Sequence, residues 1–257
     1  MSNFQSNRPA NSKAGSSAKV GGIVLVVAIL AVAATLIIMF GARLGLWTPG
    51  YGFGLYRAYA NSIAYVVTGL ALVALIYCIV RGGTGGKIYS VIALLLGIGL
   101  CGPQLMAKIN PPARVPPIHD ISTNTENPPA FMVIDDSRIE ATNDLEYGGP
   151  EVAKLQHEAY PDVVPIMTDM SESDAYDHAL EVAKATGWEI VGEDKAAMRF
   201  EATARTAVFY FADDIVVTVS PADTGSRVDM RSVSRIGRSD QGKNAERIRT
   251  FIKDFNE

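Results

Sequence analysis

Three apolar stretches dominate the first half of the chain. Val20 to Phe40 runs for about 21 residues without a charge, long enough to cross a bilayer core of about 30 Å. It exceeds the apolar core of a signal peptide and no small-residue cleavage pattern follows, so an uncleaved helix is predicted. Ala60–Val80 and Ile88–Ala107 repeat the pattern and predict two further spans. Met1–Lys19, rich in Ser, Asn and Gln, predicts a disordered tail. Gly41–Tyr59 predicts a loop whose Trp47, Tyr51, Phe53, Tyr56 and Tyr59 suit a membrane–water interface. Arg81–Lys87 (RGGTGGK) predicts a flexible turn; it lacks the spacing and the hydroxyl residue of a phosphate loop.

Beyond Ile109 the pattern changes. Asn110–Pro117 (NPPARVPP) predicts a stiff, extended linker, because each proline fixes φ and disfavours helix before it. A soluble domain is expected over 118–257, opening with a loop over 118–131 laid across its surface. Glu151–Ala159 predicts a short helix ending before Pro161. Ser171, with Asp174 at the capping-box position, starts a longer one in which Tyr176, Ala179, Leu180 and Ala183 share a face and Gly187 is the stop. Trp188–Val191 reads as a strand. Met198, Phe200, Ala202 and Ala204 alternate with polar partners, as do Ile215, Val217 and Val219, then Val228 and Met230. Ala245, Ile248, Ile252 and Phe255 define a last amphipathic helix. The expected fold class is α+β: a three-helix transmembrane bundle, then a two-layer sandwich with a four-stranded antiparallel sheet and two main helices. Its open face is expected to display Arg199, Glu201, Arg205, Asp229, Arg231 and Arg235 to water.

Charge sharpens this division. Residues 1–109 hold eight Lys/Arg and no acid, whereas the rest holds 15 bases against 27 acids, a balance of −12. A domain so acidic repels nucleic acid, whose binding rests on phosphate neutralisation, so no nucleic-acid partner is expected. No charged residue or histidine lies within the spans, and proton relays and ion pathways need such groups, so the helices read as an anchor in the lipid bilayer. Arg8, Lys13, Lys19, Arg81 and Lys87 fall on one side and Arg43, Arg57, Lys108 and Arg114 on the other. The positive-inside tendency then places the domain outside the cytoplasm, periplasmic in an inner-membrane protein. The only cysteines, Cys78 and Cys101, sit in apolar runs without His or Asp neighbours and read as packing residues.

The candidate chemistry is concentrated near the C-terminus. Arg231, Arg235 and Arg238 lead into a turn at Asp240, and Asn244 and Arg247 follow on the last helix. Arg231 and Arg235 share a strand face, and guanidinium forks suit carboxylate or phosphate oxygens. An anionic small molecule is one partner for this corner; a bland alternative is cross-strand pairing with Glu201, Asp213 or Asp229. Asp213 and Asp214 are adjacent on a strand, point to opposite faces and cannot share a metal without a bulge, so no metal or other cofactor is expected. His119–Asp120 could be a base oriented by a carboxylate, with a loop histidine beside a turn-capping acid as the alternative.

The strings PPIHDIST (116–123), PPAF (128–131), AYP (159–161), GW (187–188), EATART (201–206), DDIVV (213–217) and RSVSRIGRSDQGKNAERI (231–248) resemble domain-of-unknown-function family 1499. The resemblance spans residues 112–255 and implies a shared domain, with no reaction, cofactor or catalytic residue attached. The function expected is that of a membrane-anchored envelope protein whose soluble domain binds a ligand or protein partner. The alternatives are a tethered hydrolase or transferase using His119 and nearby acids, and a non-catalytic scaffold subunit.

Overall fold

The computed structural model describes residues 9–111 and 113–257; the first eight residues of the expected tail and Pro112 of the linker lie outside them. The chain divides into two compact units between Ala113 and Arg114.

The first unit is three helices, each long and apolar enough to cross a membrane: α1 (Pro9–Phe40), α2 (Pro49–Arg81) and α3 (Thr84–Ile109). Three expectations change here. Residues 9–19 are helical rather than part of a tail, the aromatic segment is loop only as far as Thr48, and the turn expected over Arg81–Lys87 shrinks to Gly82 and Gly83, α3 starting at Thr84. Thr48 caps α2, its hydroxyl accepting from the Tyr51 N–H at 3.3 Å, and Pro49 takes the first turn, where its missing N–H costs nothing. Small residues form the seams. On α2 the buried positions are Pro49, Gly52, Ala60, Ala64, Val67, Ala71, Ala74 and Cys78, and on α3 Gly86, Ser90, Ala93 and Gly97. A Cβ on Gly21 would lie 2.4 Å from the Gly86 carbonyl oxygen, and one on Gly97 2.6 Å from Thr68 Oγ1. Lipid tails are as apolar as leucine, so such helices associate through close backbone approach, while many of their leucines and isoleucines, Leu30, Leu36, Ile76 and Leu95 among them, are exposed.

The second unit is built on one antiparallel sheet of six strands rather than four: β1 (Asp120–Ser122), β2 (Ile166–Thr168), β3 (Glu189–Asp194), β4 (Arg199–Arg205), β5 (Ala212–Pro221) and β6 (Ser226–Ser234). The order is β1-β6-β5-β4-β3, with β2 also on β6. The two additional strands have three residues each, too short to show a period, and both pair with β6. A short helix α4 (Gly149–Ala159) covers the outer edge of β1. There Gln156, fully buried, accepts from the Ser122 N–H at 2.9 Å and donates to its carbonyl at 2.7 Å, standing in for a next strand.

Two helices cover one face: α5 (Glu172–Ala185) and α6 (Lys243–Phe255). Ser171 accepts from the Asp174 N–H and donates to its carboxylate at 2.7 Å, the cap the sequence predicts, and Gly187 takes φ 81 beyond the end of α5. Tyr176, Ala179, Ile248 and Phe251 pack on Phe200, Ala202, Ile215, Val217 and Met230, and Trp188 stacks on Phe251 with ring centres 5.4 Å apart.

The opposite face is not wet. Residues 123–148 cross it as an irregular strap, and Glu201, Asp229 and Arg231 are buried. The alternation along β4 and β6 is as predicted, but it separates an apolar core from a second, charged interior. A strap without periodic pattern gives no sign in the sequence that it covers anything.

Candidate functional site

The buried charges under the strap grip its main chain. Glu201, 1 % exposed, accepts from three consecutive amides, Met132 at 2.6 Å, Val133 at 3.0 Å and Ile134 at 2.7 Å, and pairs with Arg199 at 2.9 Å. Arg231 forks onto both oxygens of Asp120 at 3.0 and 2.7 Å, and donates to the carbonyls of Pro129 and Leu145. Its guanidinium lies 5.5 Å from the ring centres of both Phe131 and Tyr147. Burial pushes the Asp120 carboxyl up and Arg231 pulls against it, while burial and the Asp120 charge push Tyr147 up to about 12. Arg235 forks onto Asp214 at 2.9 and 2.8 Å and donates to the Ile139 carbonyl. Asp214 also accepts from Thr203 and lies 2.9 Å from Arg138 Nε, a guanidinium of the strap itself.

The sequence candidates therefore do not form a single site. Asp120, Arg231, Glu201, Asp214 and Arg235 belong to this charged interior. His119 lends its backbone carbonyl to Ser234 and Asn244; its ring makes no hydrogen bond among the described residues, so His119 and Asp120 do not form a base–carboxylate pair. Arg238 is exposed and pairs with none of the described carboxylates.

Asp213, Asp240, Asn244 and Arg247 meet on the helix side of the sheet. Asp240 caps α6, one oxygen accepting from Gly242 N and the other from Asn244 N, each at 2.8 Å; burial pushes its carboxyl up, against those two bonds. Asn244 is fully buried, accepts from Ser232 Oγ and Arg247, and donates to the His119 carbonyl and to Ser234. Arg247 pairs with Asp213 at 2.5 Å and remains 13 % exposed. A strand–turn–helix corner rich in donors thus forms, with its donors largely turned inward.

Two concave surfaces lie beside these clusters. One, of about 580 Å³, runs between α4 and residues 125–128, with Tyr147, Lys154 and His157 among its lining and two carboxylates, Glu126 and Glu158, on its walls. His157 Nε2 lies 3.0 Å from the Thr125 hydroxyl. The other, of about 510 Å³, runs along α6 between Lys243, Arg247 and Thr250 on the helix and Ala207, Val208 and Phe211 on the β4–β5 hairpin, with Trp188 also lining it. Of the sequence candidates, only Arg247 lines either cavity.

The hairpin of the second groove has an unusual backbone. Phe209 and Tyr210 both have φ 62, a left-handed conformation that costs an L side chain roughly 1–2 kcal/mol each. Thr206 closes the loop, its N–H donating to the Phe211 carbonyl and its hydroxyl accepting from Phe211 N. Trp188 and the VFYF run (208–211) were not among the sequence candidates. Their signal is an apolar run that interrupts the alternation between β4 and β5, read in sequence only as a connection.

The family profile described as protein of unknown function (DUF1499) matches residues 120–255, more than half of the chain. The chain belongs to that family. None of the curated proteins compared with it matches. The DUF1499 match starts at β1 and ends at the close of α6, so it takes in the charged interior, the Asp240 corner and both grooves. The family carries no reaction with it, and what the domain does must be argued from these surfaces.

Proposed function

We propose that this DUF1499 protein is a multi-pass membrane protein whose C-terminal domain binds a ligand in the groove between α6 and the β4–β5 hairpin. The observation that carries the reading is the make-up of that groove. Its volume falls within the roughly 300–1,000 Å³ of small-molecule sites, and an apolar wall faces a few polar and charged groups, the usual division of labour in such sites. The backbone strain at Phe209 and Tyr210 supports it, since such outliers cluster at ligand clamps. In this reading Arg247 lines the site, Asp213 and Asn244 hold Arg247 in place, and Asp240 fixes the start of α6. Arg231 and Arg235 serve the strap rather than the ligand, and Arg238 is left to solvent.

With the N-terminus in the cytoplasm, three spans place the domain on the far side of the membrane, in the periplasmic space of a cell envelope. A tethered hydrolase or transferase working through His119 has less support, because both Asp120 oxygens are bound by Arg231.

The test is thermal unfolding of the full chain in a mild detergent against soluble carboxylates, phosphates, nucleotides and divalent metals. A ligand that binds only the folded state raises the midpoint by mass action. The groove reading expects a concentration-dependent rise that disappears in Ala207→Trp, which fills the groove from an exposed hairpin position. A rise unaffected by Ala207→Trp places the ligand elsewhere.

A further inference from the structure

The groove beside α6 has a two-part chemistry that narrows its ligand, if the binding role proposed above holds. Ala207, Val208, Phe211 and Trp188 make an apolar set drawn from the hairpin and the residue just before β3. A sugar or nucleotide would leave its hydroxyls unpaired against that wall, because hydrogen-bonding groups buried without partners are penalised. The polar side is supplied by α6, where Lys243 and Arg247 stand one turn apart with Thr250 beyond them. Asp213 is buried and already bound to Arg247, so it offers no open carboxylate. Glu246 is the single acid lining the groove, and its bond to Lys243 is between two exposed side chains, 65 % and 59 % accessible, of a kind readily exchanged for another partner. Arg205, exposed and 4.9 Å over the Tyr210 ring, precedes Thr206 of the lining but does not itself line the groove. The lining itself carries Lys243 and the largely enclosed Arg247 against Glu246, one positive charge in excess beside an apolar wall, within a domain that is otherwise strongly acidic.

We infer that the groove takes a single-chain anionic amphiphile of the fatty-acid type, its hydrocarbon chain along Val208, Phe211 and Trp188 and its carboxylate at Lys243 and Arg247. The source is the bilayer itself, since the same chain carries three helices of membrane-crossing length and apolarity. The α4 cleft does not suit this ligand: Glu126 and Glu158 line it, and its one lysine, Lys154, stands beside Glu158.

The experiment uses the full chain in lipid nanodiscs with two photoactivatable probes, a diazirine dodecanoate and the matching diazirine dodecanol, and maps crosslinks by peptide mass spectrometry. The inference expects dodecanoate to label peptides 206–211 and 243–250. Ala207→Trp should remove that label, and Lys243→Glu should cut it roughly fivefold, the scale of one exposed ion pair. Dodecanol should label the groove weakly and be insensitive to Lys243→Glu. Equal labelling by the alcohol, with Lys243→Glu silent, overturns the anionic class while leaving a groove that binds apolar chains. Labelling confined to α1–α3 by both probes overturns the groove as an amphiphile site. The soluble-ligand unfolding screen then decides separately whether the groove binds anything.

Discussion

A single carboxylate, Glu201, shows what the charged interior does. It is almost fully buried and accepts from three amides and an arginine, so removing it strands the three amides and leaves the Arg199 guanidinium only the Ala130 carbonyl. Glu201→Ala should cost about 3–5 kcal/mol, the range for breaking a buried ion pair from one side, read as a lower urea midpoint. Two other acids should titrate with opposite signs. Asp240 has its pKa raised by burial, so it favours the fold most when protonated and loses that contribution as pH rises through the folded pKa. Asp240→Asn, which does not titrate, should therefore gain stability relative to wild type between about pH 4 and the raised pKa, whatever its constant offset. Asp162 has its pKa lowered by Arg249, so its contribution is complete above the ordinary carboxylate range and fades as pH falls. Asp162→Asn should be less stable at pH 7 by under about 1 kcal/mol, the pair being exposed, and should converge on wild type in acid. Unfolding curves of the three proteins across pH check both signs.

Among the elements, the strap is held by its backbone and has no core of its own: Met132, Val133 and Ile139 are exposed at 74, 59 and 79 %. Breaking Arg231 should free it selectively. In Arg231→Met, the amides of Met132–Ile134 should exchange faster in deuterium by at least tenfold while β5 amides keep their protection; equal acceleration of both would mean that strap and sheet open together. These elements also mark where the sequence was legible. The spans, the Ser171 helix, β4 to β6 and α6 carry their periods openly, because each buries one face against a continuous apolar layer. β1 and β2 pair with β6 and the strap is bound by side chains of β4 to β6, and no local pattern encodes partners that lie from 58 to 113 positions away. The arginine corner was visible as residue types, and alternation put Asp213 and Asp214 on opposite faces, but Asp213 pairs with Arg247 of the last helix rather than with a strand arginine. What was not visible is that Asp120, rather than a ligand, answers Arg231. The groove was hidden for the same reason: its walls come from three separate segments.

At the scale of the whole molecule, three spans set the domain and the N-terminus on opposite sides of the membrane in the proposed topology. A cysteine placed at exposed Lys195, in a Cys78→Ala, Cys101→Ala background, should react with a membrane-impermeant maleimide added outside the cytoplasmic membrane. Reaction only after lysis to the cytoplasm would reverse the orientation. The pairing of β1 with β6 carries a consequence for how the domain comes into being. Asp120 and Arg231 are 111 positions apart, and the His119 carbonyl waits for Asn244, 125 positions later. The inner edge of β1 therefore has no partner strand until β6 has been synthesised and, in the proposed topology, delivered across the membrane. Contacts of such separation fold slowly. Until then β1 lacks its ladder and the strap its bonds to Arg231 and Arg235, both are open to proteases and chaperones, and a chain stopped before β6 should be degraded from its linker end as readily as from its new terminus.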